Sequence, residues 1–347
     1  MPIIGVFSVF AIYALIPLTA TGGFYWNKYT NFNDLKNYSG SSVQITGQSL
    51  RVLVLTDHHY IGLPFGVDGR TDRAIKQAVA KTQPELILVL GDNVATPMNH
   101  WAQRRFIQAM DRFGVPWAPL FGNHDGLGRA DSNYLSRMIE RESVYSIFRW
   151  GPNNIGVPGN YFVNITNQAD EIVHSFILMS SKHSPWFVPV YPPLTIEQVE
   201  WYEWVIHGLN NWAGRVVPTT LALHVPLPVF ETSWYLALEN GKVLYGDKRE
   251  PVMHSGTDKG LFERIVTLGS TRSIIAGHDH TNDFVVSYQN IIMSHVIAGN
   301  KNVGMLGAYG DYNGGMVIDV FPNGSTIQTA FRLYNNTIVH GLPIMIS

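Results

Sequence analysis

Short apolar runs alternate with segments of helical spacing along most of the chain. Residues 50–56 (LRVLVLT) and 86–90 (LILVL) have the length and composition of buried parallel strands. Between them, residues 71–81 carry apolar side chains at helical spacing. Residues 99–113 and 115–121 then repeat the helix and the strand. This βαβαβ order predicts an α/β fold with layered sheets.

The second half of the chain continues the alternation. It predicts strands at 172–180, 216–223, 273–276, 316–321 and 326–333, and helices at 195–211 and 259–268. Residues 27–48 are rich in Asn, Ser, Thr and Gly, which is typical of a connector. We therefore predict three parts, namely a targeting segment over 1–22, a connector over 23–49 and one domain over 50–347.

The targeting segment is apolar and uncharged. Residues 3–18 (IIGVFSVFAIYALIPL) are followed by small residues at 20–22, as in a secretory signal peptide with a cleavage site. An uncleaved membrane anchor is the alternative, because about 20 apolar residues suffice to cross a bilayer. A helix buried in the domain is a third interpretation. We expect a protein of the secretory pathway that is secreted, luminal or attached to a membrane through this segment.

Composition narrows the functional classes. With 46% hydrophobic and 14% charged residues, the 347-residue chain has the composition of a packed protein and excludes disorder. A net charge of −2 without runs of Lys or Arg argues against nucleic acid as a partner. Cysteine is absent, which excludes disulfides, Cys-ligated zinc and cysteine nucleophiles. Four Asn-x-Ser/Thr sequons fit the secretory route, on which we expect a glycoprotein, but they add little because about three would arise by chance: Asn37, Asn164, Asn323 and Asn335.

Acids, amides and histidines follow the predicted strands directly. The motifs are Asp57-His58-His59, Gly91-Asp92-Asn93, Gly122-Asn123-His124-Asp125, His224 and Gly277-His278-Asp279-His280. Ligands of open α/β sheets bind at the carboxyl ends of the strands, so these side chains are expected to meet. Imidazole, carboxylate and amide oxygen donors suit zinc, manganese or iron. The sequence therefore predicts a metal site.

The ordered motifs LTDHHY, LVLGDN, LFGNHD, LHVP and AGHDH resemble the calcineurin-like metallophosphoesterase superfamily. Within it, HVPLP, REPV, KGLFERIV and GHDHTNDF look most like the purple-acid-phosphatase-related phosphoesterases of fungi and plants. The resemblance implies a four-layer αββα sandwich with two mixed sheets, and a catalytic domain that holds two divalent metal ions (Mn, Zn or Fe). The implied ligands are Asp57, His59, Asp92 and His280 for the first ion, and Asp92, Asn123, His224 and His278 for the second.

The resemblance also implies a reaction. A metal-bridging hydroxide would attack phosphorus, His124 would give a proton to the leaving group, and Asp125 would orient His124. The expected activity is a dimetal-dependent phosphatase that hydrolyses phosphomonoesters on small molecules or proteins. A phosphodiesterase and a non-catalytic binding protein that retains the fold are the alternatives.

Other polar and aromatic positions match no motif of this kind. We interpret His58 as a packing residue, Asn93 as a turn residue, and the aromatic stretches 186–191 and 201–212 as packing. His254 is a candidate for substrate contact, whereas His174, His183 and His295 are expected to be surface or core residues. Purple acid phosphatases owe their colour to a tyrosinate three residues after the bridging Asp. Ala95 occupies that position, which predicts a colourless protein with two divalent ions.

Overall fold

The structure is a computed structural model that describes residues 23–38, 40–63, 66–184, 191–299, 313–334 and 337–347. The predicted signal peptide or anchor over 1–22 lies outside the described residues. Among the helices of the described ranges, none combines the length and the apolar character that a membrane span requires.

The described residues form two mixed sheets flanked by helices. The strands are β1 (Gly40–Gln44), β2 (Leu50–Leu55), β3 (Leu86–Val89), β4 (Trp117–Pro119), β5 (Tyr161–Thr166), β6 (Ile172–Met179), β7 (Thr219–Leu223), β8 (Val243–Tyr245), β9 (Thr271–Ala276), β10 (Val285–Tyr288), β11 (Ile291–His295), β12 (Asn313–Val320), β13 (Thr326–Tyr334), β14 (Thr337–His340) and β15 (Ile344–Ile346). The helices are α1 (Val67–Thr82), α2 (Asn99–Asp111), α3 (Ser132–Glu142), α4 (Ile196–Ala213), α5 (Val229–Glu239) and α6 (Leu261–Leu268), with 3-10 helices at Phe32–Asn37 and Asp125–Leu127.

Strand order places the predicted βαβαβ unit at one side of the seven-stranded sheet. That sheet runs β14-β13-β12-β2-β3-β4, with β15 beside β13, and β2, β3 and β4 pair in parallel. The eight-stranded sheet runs β1-β5-β6-β7-β9-β11-β10-β8, with β6, β7, β9 and β11 parallel to one another. Antiparallel pairs elsewhere make both sheets mixed. The predicted α/β fold with two mixed sheets is confirmed.

Burial explains the order of the layers. One apolar core contains residues from both sheets, such as Leu53 of β2 and Phe176 of β6, together with residues of α1 to α3. A second core packs α4, α5 and α6 against the eight-stranded sheet. Phe106 of α2 lies edge-on to Trp117 of β4, with ring centroids 5.4 Å apart. The sheets therefore face each other and carry helices on their outer sides.

The segment 23–49, which we expected to be a connector, is part of the folded domain. Its residues Gly40–Gln44 form β1 and pair in parallel with β5. The 3-10 helix Phe32–Asn37 packs on α4, where Leu35 is buried against Gly208. The polar composition of this segment reflects its exposed positions, whereas its few apolar residues bind it to the sheet and to α4.

Candidate metal centre

The seven predicted metal ligands meet where strands of the two sheets end. Asp57, Asp92 and Asn123 follow β2, β3 and β4 of the seven-stranded sheet, and His224 follows β7 of the eight-stranded sheet. His278 and His280 come after β9, the neighbour of β7. Since all these loops leave the carboxyl ends of parallel strands, the fold collects their side chains in one place.

A first group consists of Asp57, His59 and His280, whose ligand atoms lie within 4.8 Å of one another. The Nε2 atoms of His59 and His280 are each 3.5 Å from Oδ1 of Asp57. His59 Nε2 is also 3.5 Å from Oδ2 of Asp92, which joins this group to the second.

The second group consists of Asp92, His224 and His278. His224 Nε2 lies 3.2 Å from Oδ2 of Asp92 and 3.0 Å from Oδ1 of Asn123. The other ring nitrogen of His224 is 2.7 Å from the carbonyl oxygen of Leu90. That contact fits an Nδ1–H donor, so Nε2 is the nitrogen that faces the other members of the group. Oδ2 of Asp92 thus faces imidazoles of both groups.

Asp57 and Asp92 each use one carboxylate oxygen for hydrogen bonds within the protein. The other oxygen of each has no hydrogen-bond partner among the described residues. Oδ2 of Asp57 accepts hydrogen bonds from the Thr56 hydroxyl (2.6 Å) and the His278 backbone N–H (2.9 Å). Oδ1 of Asp92 accepts one from the His124 backbone N–H (2.8 Å). Among the described residues, no hydrogen-bond partner exists for four buried atoms of the site: Asp57 Oδ1, His59 Nε2, Asp92 Oδ2 and His278 Nε2.

These orphaned atoms fit a pair of cations. Donor atoms that share one ion at about 2.0–2.2 Å lie about 3.0–3.5 Å apart, as calculated for octahedral and tetrahedral sites. The measured separations between atoms of Asp57, Asp92, His59, His224 and His280 are 3.2–3.5 Å. Buried polar atoms are costly without partners, so the pattern supports metal binding at both groups.

Four ligand residues have a backbone conformation that non-glycine residues rarely adopt. The φ angles are 56° at Asp57, 47° at His59, 49° at Asp92 and 78° at His278. Such residues cost of order 1–3 kcal/mol each and cluster at functional sites. Gly122 lets the loops approach closely, because a Cβ atom there would lie 2.2 Å from Asp92 Oδ1. The loops are therefore shaped to aim these side chains.

The charges of the site depend on one another. Burial acts to raise the pKa of Asp57, but the imidazoles of His224, His280 and His59 outweigh it and hold that pKa well below its usual range. Burial acts to lower the pKa of His224, yet the carboxylates of Asp92 and Asp57 raise it to about 9. A cation that binds His224 must therefore displace a proton, so binding weakens as the pH falls.

His124 lies at the edge of this group, and its side chain is 38% exposed. Its Nε2 is 3.9 Å from Oδ2 of Asp92, so the imidazole faces the site and remains accessible to a substrate. Asp125 differs from the prediction that it orients His124. Its two oxygens instead accept the backbone N–H groups of Val94 (3.0 Å) and Gly122 (2.7 Å). Asp125 therefore fixes the loops that carry Asp92 and Asn123.

Neighbouring residues have mostly structural contacts. His58 is buried with its ring 5.8 Å from that of Phe106, and the Asn93 side chain donates to the carbonyl of Leu120. His254 Nε2 lies 3.5 Å from a Glu231 carboxylate oxygen. Tyr191, which we interpreted as packing, lies edge-on to the ligand His278 with ring centroids 4.3 Å apart. Tyr191 lies in an aromatic stretch of the sequence, so its contact with His278 could not be distinguished from ordinary packing.

A family model extends over the same region. The model of the calcineurin-like phosphoesterase family matches residues 50–282, from the start of β2 to just beyond His280. The chain belongs to this family. The match contains all seven candidate ligands and His124, so the family and the geometry concern the same residues.

Relatives of this metallophosphoesterase include phosphatases by name. It is 23% identical over 303 residues to "Probable inactive purple acid phosphatase 14" of Arabidopsis thaliana, with 76% of this chain and 73% of that protein covered. It is 26% identical over 235 residues to "Phosphatase DCR2" of Saccharomyces cerevisiae, with 62% of this chain and 39% of that protein covered. The chain spans 39% to 73% of the length of the curated relatives it matches.

A solved structure shows the same fold. The dimetal phosphatase from Danio rerio superposes with a TM-score of 0.53 at 9% sequence identity, covering 87% of this chain and 99% of that one. At this identity the likeness concerns the fold alone. The likeness agrees with the family match in assigning the metallophosphoesterase fold to this chain.

Proposed function

We propose that this metallophosphoesterase is an active phosphatase that hydrolyses phosphomonoesters with the help of two divalent metal ions. The observation that carries the proposal is the pair of ligand groups joined through Oδ2 of Asp92, which lies 3.5 Å from His59 and 3.2 Å from His224. The relatives named "probable inactive" in Arabidopsis make activity the point that needs testing.

The metals would be Mn, Zn or Fe in the divalent state. Asp57, His59, Asp92 and His280 would hold the first ion, and Asp92, Asn123, His224 and His278 the second. When bound, such a pair lowers the pKa of a coordinated water and neutralises charge on phosphoryl oxygens. Nitrogen and carboxylate donors without thiolate suit these ions.

The residues of the chain supply position and a proton. His124 presents Nε2 beside Asp92 and remains 38% exposed, so a substrate can reach it. We assign it the transfer of a proton to the oxygen of the departing alcohol. Backbone hydrogen bonds join the loops after β2 and β3, from Asp57 N–H to the Gly91 carbonyl (3.1 Å) and from His59 N–H to the Asp92 carbonyl (2.9 Å), which favours a fixed phosphate position. The substrate class we propose is a phosphorylated small molecule or protein; the net charge of −2 without runs of Lys or Arg argues against nucleic acid.

The experiment is phosphate release by purified protein before and after exhaustive chelation, with metal content measured throughout. We expect chelation to abolish release and Mn, Zn or Fe to restore it. Aryl monoesters, aryl diesters and phosphopeptides should be compared, with monoesters hydrolysed fastest. The exposed His207→Ala variant is the matched control. Undiminished release with an empty site would sink the metal mechanism, and two bound ions without release would favour a binding protein.

A further inference from the structure

A buried acid lies between two candidate metal ligands in the turn that follows β9, and a buried histidine contacts this acid. Asp279 stands between His278, a ligand of the second group, and His280, a ligand of the first. Its Oδ2 atom is 2.9 Å from Nε2 of His295, and both side chains are fully buried. His295 belongs to none of the sequence motifs, and we expected it to be an ordinary surface or core residue. The contact is nevertheless the tightest one that Asp279 makes.

His295 has an apolar setting apart from this contact. It ends β11, which pairs in parallel with β9, and its ring lies 5.6 Å from that of Phe284 and 6.1 Å from that of Phe230. Among the described residues, neither ring nitrogen makes a well-directed hydrogen bond, and the 2.9 Å approach of Nε2 to Oδ2 of Asp279 is the polar contact of the ring. Burial of a polar ring costs free energy unless a polar or charged group compensates it. The carboxylate of Asp279 is the group that does so here.

Asp279 is also held from two other sides. Its Oδ1 atom accepts the Met253 backbone N–H at 3.1 Å, and its Oδ2 atom accepts the Asn282 side-chain N–H at 3.1 Å. Asn282 in turn accepts the backbone N–H groups of Arg249 (2.8 Å) and Glu250 (3.1 Å). Asp279 thus connects the turn that bears two ligands to strand β11 and to the loop before α6.

The turn needs such support because its backbone is strained. His278 has φ 78°, in the left-handed region that non-glycine residues avoid, and its N–H donates to Oδ2 of Asp57. A conformation of this kind persists only when neighbouring contacts determine it. Release of the turn would move His278 and His280 together, since only Asp279 lies between them in the chain.

We propose that Asp279 and His295 form a positioning pair that holds the strained turn so that His278 reaches one metal ion and His280 the other. The proposal rests on the dimetal site of the proposed function. Residues that support metal ligands from behind commonly contribute 10- to 100-fold to metal affinity. Loss of the pair should therefore weaken the binding of both ions, whereas loss of one ligand should weaken mainly the binding of the ion that it contacts.

The test is metal titration of the full chain by calorimetry with Zn²⁺ or Mn²⁺, and metal content after dialysis. His295→Phe keeps an aromatic ring beside Phe284 and Phe230 but removes the partner of Asp279. We expect its affinity for both ions to fall about 10- to 100-fold. His295→Gln, whose amide can donate to Asp279, should recover most of the loss. His280→Ala serves as the comparison, with one ion affected more than the other.

Thermal unfolding after chelation separates positioning from a general structural role. A merely structural His295 would lower the unfolding temperature of the chelated variant and leave the metal affinities at the parental values, which would overturn the proposal. If His295→Phe fails to fold, Asn282→Ala removes another contact of Asp279 and must weaken both ions, or the proposal is wrong. Because titration reads binding, a parent that binds two ions without hydrolysing phosphoesters would contradict only the proposed function.

Discussion

Asn123 and His224 meet across the gap between the two sheets, with Oδ1 of Asn123 3.0 Å from Nε2 of His224. Asn123 follows β4 at an end of the seven-stranded sheet, and His224 follows β7 inside the eight-stranded sheet. The candidate metal centre therefore depends on how the sheets pack, and a cation there would fasten one sheet to the other.

Asp92→Asn should be the most damaging single substitution at the site. It removes the charge of the carboxylate that faces His59 and His224 together, so we expect both ions to bind at least tenfold more weakly. Metal content after dialysis and phosphate release are the measurements. Asp319→Asn, at a surface ion pair with Arg51, is the matched control. An Asp92→Asn protein with two tightly held ions would contradict the shared role of this carboxylate.

His124→Ala should retain both metals and lose turnover. Its ring nitrogen lies 3.9 Å from Asp92 and is not within either ligand group, so metal content should match the parent. Removal of a general acid commonly lowers turnover about a hundredfold or more. Parallel measurements of bound metal and of kcat give the answer. Loss of metal in this variant would assign His124 to the ligands instead.

The metal-loaded protein should show no tyrosinate charge-transfer band. Tyr60 is fully buried and its hydroxyl donates to Oδ1 of Asp72 at 2.7 Å, away from the ligand groups. Burial and the Asp72 carboxylate raise the pKa of Tyr60 well above its usual value, which disfavours the phenolate. Tyr60→Phe should leave the visible spectrum unchanged and reduce stability by about 1 kcal/mol. A charge-transfer band in the parent that disappears in Tyr60→Phe would show that Tyr60 binds a metal ion as the phenolate.

Glycosylation offers a test of the secretory route. If the chain enters this pathway, glycans are expected on Asn37 and Asn323, which are exposed. Asn164 should carry none, because it is buried in β5 and its side-chain oxygen accepts the Ser175 hydroxyl at 2.9 Å. Mass spectrometry after N-glycosidase treatment reads each position. A full-length product in the cytosol without glycans would refute the route, and a glycan on Asn164 would contradict its burial in β5.

His174 should make the protein less stable in acid. Burial lowers its pKa to about 4, whereas the unfolded chain titrates near 6.5. Between these values the unfolded state binds the proton and the folded state does not, so the free energy of unfolding decreases as the pH falls from about 6.5 to 4. His174→Gln should remove up to about 3 kcal/mol of this decrease in denaturant titrations. An unaltered pH dependence, equal to that of His207→Gln, would exclude His174 as the cause.

The sequence predicted the strands that carry the ligands because these are continuous apolar runs. β2, β3, β7 and β9 are buried almost throughout, and a polar motif follows each of them. β5 was not predicted, since Asn164 interrupts its apolar pattern; in the fold, the Ser175 hydroxyl on the neighbouring strand donates to the Asn164 side-chain oxygen. Helix α5 was missed because Tyr235 and Leu238 are exposed, which blurs the helical periodicity.

The roles of residues that depend on tertiary contacts could not be predicted from the sequence either. Asp125 stands next to His124 in the chain, which suggested a partnership, but the fold directs its oxygens to the backbone of Val94 and Gly122. Asp279 and His295 are 16 positions apart and share no motif, so only the folded chain brings them into contact. The sequence predicts which residues follow the ends of the strands. It does not predict which groups the carboxylates of Asp125 and Asp279 contact.

The separation of the ligands along the chain bears on biosynthesis. Asp57 accepts a hydrogen bond from the backbone of His278, a residue 221 positions later. When only the first half of the chain has been synthesised, the candidate centre is therefore incomplete, because His224, His278 and His280 are still missing. Uptake of ions at the complete candidate centre would therefore await nearly complete synthesis and the docking of the two sheets. Availability of ions in the compartment where folding finishes, rather than where translation starts, would then decide which metal is incorporated.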